Sequence, residues 1–292
     1  MKYVFILNIF TLGDTFKVLY KKIDRICKNK NIDYEIECNS KDINTEDIVK
    51  KYKKKQVILL PVGGDGMINR VINSMDIKNN KICPIPYGTG NDLCRSIKTQ
   101  LKDGFTKIDL IKINKKYFIN NACFGIDANI ANSSIISNKK IPKSMRYIVS
   151  TINSLFKYKL NDYVININNE IINGTKSTII VCNGNYYGGG YKISPHSKLN
   201  NGYVDVYIAD KMSKIKILIL ILGINKGKHE DSKKIRRIRC NKLLIESNKI
   251  IDANIDGETI SSKKFNIEVI KDGIELYYNY DLVDTILHWY FY

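Results

Sequence analysis

Two glycine-rich turns, each at the end of an apolar run, hold the residues best suited to chemistry. In Val62-Gly63-Gly64-Asp65-Gly66 the glycines permit φ > 0 and close approach of the backbone to a ligand. The helical pattern that follows offers an anion N–H groups and the positive end of a helix dipole. Asp65 cannot meet a phosphate without a cation between them, so its carboxylate suits Mg²⁺ or the waters around it. Ile85-Pro86-Tyr87-Gly88-Thr89-Gly90-Asn91-Asp92 repeats the logic one unit later. There Gly88 and Gly90 free the backbone, and Thr89 and Asn91 offer neutral hydrogen bonds. Asp92 is either a second carboxylate of the site or a helix N-cap, and Arg95 stands one turn further on, where it could meet a phosphate. A third carboxylate, Glu258, follows Asp256-Gly257; read alone, it is a hairpin carboxylate after a D-G turn.

The elements that must carry these turns follow from periodicity. Tyr3–Leu7, Asp33–Glu37, Val57–Val62 and Ile82–Ile85 read as strands. Between them, apolar residues at Phe16, Leu19, Ile23 and Ile26 mark a helix over Thr15–Lys28, and Ile48, Val49 and Tyr52 mark a second with Thr45 as its N-cap. A third opens after the Gly63–Gly66 turn. Val57–Val62 is apolar without alternation, as in a parallel strand covered on both faces. Alternating β and α units of this kind build a doubly wound α/β domain, whose ligands sit at the carboxyl ends of the strands. Near Thr106 the pattern changes. Lys107–Ile113 and Tyr117–Ala122 flank Asn114-Lys115-Lys116, a hairpin signal. Strands then dominate: Tyr163–Ile167, Ser177–Asn183, Val204–Ala209, Leu243–Glu246, Asn254–Asp256 and Phe265–Ile270, interrupted by helical patterns over Lys143–Lys157 and Ser213–Lys226. No repeat or low-complexity linker separates this β-rich part from the first, so two packed domains with a cleft between them are expected.

Five blocks in order, Gly-Gly-Asp-Gly-x-x-Asn (63–69), PYGTGNDLCR (86–95), FINNACFGIDA (118–128), CNGNYYGGGYKISPHSKLNNGYVDV (182–206) and NIDGE (254–258), resemble the diacylglycerol kinase catalytic-domain family, which includes soluble bacterial lipid kinases, sphingosine kinases and ceramide kinases. The resemblance spans nearly the whole chain. It implies an N-terminal α/β nucleotide-binding domain, residues 1–112 with 275–292 returning to it, and a C-terminal β-sandwich-like lipid-substrate domain, 113–274, with the active site in the cleft. It implies transfer of the γ-phosphate of ATP, with Mg²⁺, to a hydroxyl of a membrane lipid such as diacylglycerol. By the same resemblance, Asn8, Gly63, Gly64, Asp65, Gly66, Gly88, Thr89, Gly90 and Asn91 would serve the nucleotide, and Asp92, Arg95, Asn120 and Asp127 the substrate side. Gly125, Gly188, Gly189, Pro195, Asp256 and Gly257 match motif positions, Glu258 resembles the general base, and Asp65 the phosphate- and metal-side carboxylate. Leu199, Asn201 and Tyr203 match a structural metal loop, weakened here because Asn201 stands where an Asp is usual. The family's first loop, N-P-x-[SA]-G, is Asn8-Ile9-Phe10-Thr11-Leu12-Gly13 in this chain. A usual Thr is Met67, and a usual Glu is Arg70. Two other readings stay open: an NAD kinase-like enzyme, which also carries a GGDG turn, and a catalytically weak nucleotide- or lipid-binding homologue.

Charge and composition bound the partners. Lys and Arg outnumber Asp and Glu 47 to 29, a net charge of +18, which favours anionic partners. No nucleic-acid-binding motif accompanies the charge, so a phosphate-bearing ligand or an anionic membrane surface is expected rather than nucleic acid. The segment Ser137–Lys159 mixes basic and apolar residues, and the chain ends His288-Trp289-Tyr290-Phe291-Tyr292; both are candidates for peripheral membrane contact. The seven cysteines show no C-x-x-C spacing and the three histidines are isolated, which points away from zinc or a disulfide framework and towards the cytoplasm. The apolar run Ile215–Ile224 is too short to span a bilayer. A sheet edge of either domain could pair with a second copy to form a homodimer.

Overall fold

The computed structural model describes residues 1–125, 160–227 and 229–287. Asp127, the helical pattern over Lys143–Lys157, the basic segment Ser137–Lys159 and the aromatic end 288–292 lie outside them. The described residues form two compact units, one from 1–108 and 272–287 and the other from those between 109 and 271.

In the first unit β1 (Lys2–Leu7), β2 (Tyr34–Cys38), β3 (Val57–Gly63), β4 (Lys81–Ile82) and β5 (Ile85–Pro86) form a parallel sheet. Its order is β2-β1-β3-β4, with β5 also on β3. Val4–Leu7 and Val57–Val62 are buried throughout, the continuous burial of strands covered on both faces. Helix α1 is the short Ile9–Leu12. Helix α2 (Phe16–Asn29) buries Leu19, Ile23 and Ile26, spaced for one face. Helices α3 (Thr45–Lys50), α4 (Asp65–Ile72) and α5 (Asp92–Gln100) follow. Thr45 is not the cap of α3: Asn44 is, its side chain accepting the Asp47 N–H at 2.8 Å, while Thr45 is buried in the first turn. The single strand expected over Ile82–Ile85 is two pieces broken at Cys83-Pro84, since Pro84 has no N–H to give a ladder.

The chain leaves this unit along β6 (Gly104–Ile113). The second unit holds the end of β6, β7 (Lys116–Phe118), β8 (Asn121–Gly125), β9 (Asn161–Ile167), β10 (Glu170–Cys182), β11 (Val204–Asp210), β12 (Ile235–Cys240), β13 (Lys242–Ile255) and most of β14 (Glu258–Tyr278). Helix α6 (Lys214–Gly223) follows β11. The β6–β7 hairpin turns on Asn114-Lys115, with Asn114 at φ +53°. The path β12-β11-β10-β8-β13-β14 is antiparallel, and β9 pairs with both β10 and β13, so β9, β10, β8 and β13 close into a ring. A register shift in β13 between Glu246 and Ile251 separates the half that meets β9 from the half that meets β8. Inward side chains fill the space, with Phe124 and Phe265 edge to face at 5.0 Å. The unit is thus β-sandwich-like, as expected. β13 and β14 are longer than their apolar patterns because polar residues around Lys263 and Lys264 interrupt the pattern, while the ladder resumes at Ile251–Ser262 beyond the register shift. β14 carries the chain back into the first unit, where Leu276 aligns with Ile82 and helix α7 (Tyr280–Leu287) packs on α2.

Candidate functional site

The strand order of the first unit reverses between β1 and β3, and open α/β sheets bind ligands at the carboxyl ends of the strands flanking such a reversal. Leu7 is in register with Val62, so the residues that emerge there are Asn8 and Gly63. The Asn8 Oδ1 accepts the N–H groups of Phe10 and Thr11 at 3.1 and 3.3 Å and caps α1. The Ile9 N–H goes to Asn39 Oδ1 at 2.9 Å, and the Asn39 N–H returns to Leu7 O. Asn39 therefore holds the ends of β1 and β2 together; sequence reading missed it, its only local signal being a polar residue just past a strand.

The two glycine-rich turns meet. A Cβ on Gly88 would lie 2.4 Å from Gly64 Cα and 2.8 Å from Gly64 N. The backbones can approach this closely only because residue 88 is glycine. Gly64 begins α4 without a side-chain cap; the Met67 N–H turns back to the Gly64 carbonyl at 3.0 Å, and the helix dipole at this end favours an anion. The start of α5 is different. Asp65 reaches across and accepts the Asp92 N–H at 3.1 Å and the Leu93 N–H at 3.0 Å, one on each carboxylate oxygen. Asp65 is thus a cap in trans for α5, placed where the dipole favours a negative charge. Burial pushes its pKa up and these N–H groups pull it back, with burial the larger effect. Asp92, buried in the first turn of α5, is not the N-cap. Asn91 takes that position at φ +55°, its side chain pairing with both the N–H and the carbonyl of Gly88 at 3.0 and 2.9 Å. Thr89 is exposed at the tip of the turn, and Arg95 bonds back to the Gly90 carbonyl at 3.3 Å. Gly88→Ala is expected to force the two turns apart at a cost of about 1–3 kcal/mol, read as a lower urea midpoint at unchanged slope; a midpoint equal to wild type would mean that the turns have slack.

Met67 and Arg70 both lie off the face where the turns meet. Met67 is buried, with its sulfur 3.7 Å from the Thr45 hydroxyl, and a Cβ on Gly63 would sit 2.9 Å from Met67 Cβ. It fills the space beside α3. Arg70 is exposed, more than a turn into α4.

In the second unit three of the motif blocks converge on one carboxylate. Asp256 and Gly257 form the two-residue turn of the β13–β14 hairpin, at φ +47° and +91°, with Ile255 paired to Glu258. The buried Asp256 carboxylate accepts the N–H groups of Ile119, Asn120 and Asn121 at 2.7, 3.0 and 2.8 Å. The turn of the chain at Ile119-Asn120 divides the strand expected over Tyr117–Ala122 into β7 and β8. The side-chain amides of Asn120 and Asn121 both donate to the Tyr186 carbonyl, at 3.1 and 2.7 Å, and Asn183 donates to the Ile119 carbonyl at 2.6 Å. Gly188, Gly189 and Gly190 follow at positive φ. Glu258, partly buried, is the first residue of β14 and stands two positions beyond this anchor. Asn121 and Asn183 act as scaffold around Asp256; the sequence marked Asp256 as a motif position but did not single out the two asparagines.

The Leu199–Tyr203 loop closes on protein donors. The Leu199 carbonyl accepts the Asp109 N–H at 2.7 Å, and Asn201 Oδ1 accepts the Tyr203 N–H at 3.0 Å. Asp109, fully buried and also unassigned from sequence, accepts the Gly202 N–H at 2.6 Å. Among the described residues no group of three or more His, Cys, Asp or Glu is placed to hold a metal ion. The cysteines are free thiols; burial raises Cys27 to about 11 and Cys83 and Cys240 to about 12, which makes them core filler rather than nucleophiles.

Comparison with known proteins divides the chain in a similar way. Residues 2–117 match the diacylglycerol kinase catalytic domain, and residues 120–277 match the YegS C-terminal NAD kinase beta sandwich-like domain. A diacylglycerol kinase of Staphylococcus epidermidis is 25% identical over 278 residues, covering 89% of this chain and 88% of the relative. One of Staphylococcus aureus (strain JH9) is 25% identical over 242 residues, covering 79% and 77%. A crystal structure of a diacylglycerol kinase from Bacillus anthracis str. Sterne superposes with a TM-score of 0.76 at 18% identity over 95% of this chain and 97% of that one, a likeness of fold.

Proposed function

The chain belongs to the diacylglycerol kinase family, as a catalytic domain joined to a YegS-type C-terminal sandwich domain, and on that footing we propose that it transfers the γ-phosphate of ATP to the hydroxyl of a membrane lipid of the diacylglycerol class. Kinase membership supports phosphotransfer as such; the lipid acceptor is the finer step. The observation that carries the reading is the contact of the two glycine-rich turns beside the uncapped start of α4, held by Asp65. That arrangement suits a polyphosphate, which needs many N–H donors and close backbone approach.

In this reading the amides of Gly64 and Gly66 and those of Thr89 and Gly90 hold the phosphates. The Asp65 carboxylate, which accepts the Asp92 and Leu93 N–H groups and also faces the backbone N–H groups of Asp65 and Asn91, is the charged oxygen donor at the turns that would hold Mg²⁺ through water. Bound there, Mg²⁺ would supply positive charge against the phosphoryl oxygens. Glu258 takes the proton of the lipid hydroxyl as its oxygen bonds to the γ-phosphorus and the bond to the ADP oxygen breaks. The Leu199–Tyr203 loop, whose Leu199 carbonyl and Asn201 Oδ1 already accept N–H groups, is given no part in the reaction.

Incubation with labelled ATP and a panel of diacylglycerol, ceramide, sphingosine and NAD, with Mg²⁺ or Mn²⁺, tests the proposal. Label in phosphatidic acid is the expected outcome. Label in NAD instead would identify an NAD kinase-like enzyme, and ATP binding without label in any acceptor would identify a binding protein.

A further inference from the structure

Helix α6 is apolar on every side. Its sequence, Lys-Ile-Lys-Ile-Leu-Ile-Leu-Ile-Leu-Gly, begins after Ser213, whose hydroxyl caps it through the Lys216 N–H. A helix apolar all round belongs either inside a protein or in contact with lipid. One face is inside: Ile217 and Ile221 roof an apolar cavity together with Tyr187, Ile193 and Tyr207. Among the described residues the other face has no such cover. Ile215, Ile219 and Leu222 are 73, 61 and 58% exposed. Their spacing of four and three residues places them within about 60° of arc on one stripe. Exposed large aliphatics are ordinary singly, but three on one stripe mark an interaction surface.

The charge around the stripe selects the partner. Lys214 and Lys216 flank Ile215 at about 100° on either side, and Lys211 and Lys226 lie beyond the two ends; all four are exposed. From Lys211 to Lys228 the sequence contains no Asp or Glu. A second copy docked through the same face would set lysines against lysines, and a nucleic acid would leave the aliphatic stripe in water. An anionic bilayer satisfies both parts, taking the aliphatic side chains into the acyl boundary and the lysines among its headgroups. At ten residues the helix is about 15 Å long, half the thickness of a hydrocarbon core, so it lies in the interface rather than crossing it.

We propose that the Ile215–Ile219–Leu222 face of α6, with its ring of lysines, is a docking surface for anionic phospholipid bilayers. This deepens the lipid-kinase reading and rests on it for its purpose, but its test needs no turnover.

The full chain is floated with phosphatidylcholine vesicles, with and without phosphatidylglycerol, in the absence of ATP. Wild type should partition onto the anionic vesicles only. The triple variant Ile215→Ser, Ile219→Ser, Leu222→Ser should lose about tenfold or more of that partition while keeping its melting temperature. Lys214→Glu with Lys216→Glu should lose the preference for anionic vesicles. Equal partition of wild type and the triple variant would overturn the proposal, as would equal binding to neutral vesicles. In a second measurement Ile219→Trp should shift its emission to the blue on anionic vesicles; no shift while the chain binds would place the docking element elsewhere. A change of oligomeric state in the triple variant without a change in vesicle binding would assign the face to contacts between copies. Phosphorylation of a short-chain diacylglycerol in detergent micelles, measured on the same variants, reports separately on the kinase reading.

Discussion

Glu258→Gln is expected to lower kcat for a lipid acceptor by a factor of about 10²–10⁴, the usual contribution of a general base, with ATP affinity and melting temperature unchanged. Glutamine has the shape of glutamate but cannot take a proton at neutral pH. The substitution should also leave the hairpin intact, because Glu258 joins the ladder to Ile255 through its backbone and the turn before it is made by Asp256 and Gly257. The contrast is sharp. A carboxylate that merely follows an Asp-Gly turn on a half-exposed strand end would change turnover by less than about twofold. Turnover near the wild-type value would therefore remove Glu258 from the chemistry. A loss of ATP binding in parallel with turnover would point to damage to the nucleotide turns rather than to a missing base.

The second large effect is structural. Asp256→Ala is expected to destabilise the fold by about 3 kcal/mol or more, because three buried N–H groups lose a charged acceptor and leaving one such donor unsatisfied costs about 1–3 kcal/mol. The three costs do not add in full, since the freed loop can relax. Alanine is also disfavoured at the positive φ of residue 256. Asp256→Asn separates the two contributions. Asparagine tolerates the left-handed conformation, and its single carbonyl can serve part of what the carboxylate served, so a smaller loss is expected. Urea unfolding of both variants measures this. A cost under about 1 kcal/mol for Asp256→Ala would mean that the Ile119–Asn121 turn does not depend on the carboxylate. Lowered turnover in Asp256→Asn at nearly full stability would show that the anchor also positions Glu258.

Most strands and helices of the described chain follow from local pattern, as at Val57–Val62, where an unbroken apolar run gave a buried parallel strand, and over Phe16–Asn29, where one face carries the aliphatics. The failures have local causes. Asn44 and Thr45 are adjacent and both able to cap, and propensity alone does not choose between them. The extent of β13 and β14 was hidden because a ladder needs backbone partners, not alternating side chains. Met67 looked like a fault in a nucleotide turn, yet it faces Thr45 and the core, since a helix begun at Asp65 turns its third residue inward.

By itself the sequence determined where the backbone could bend and which carboxylates were at hand: the glycines at 63, 64, 66, 88 and 90, the Asp-Gly turn at 256–257, and Asp65, Asp92 and Glu258. What those groups touch was decided only in three dimensions. Asp65 is bound by amides 27 and 28 residues later, and Asp256 by amides more than 130 residues earlier. Asn8 emerges beside Gly63 because β1 lies next to β3 in that register. Strand order and register arise from burying whole faces of the sheet at once, and a hydrogen bond across such a distance forms only after that burial has brought its two ends together.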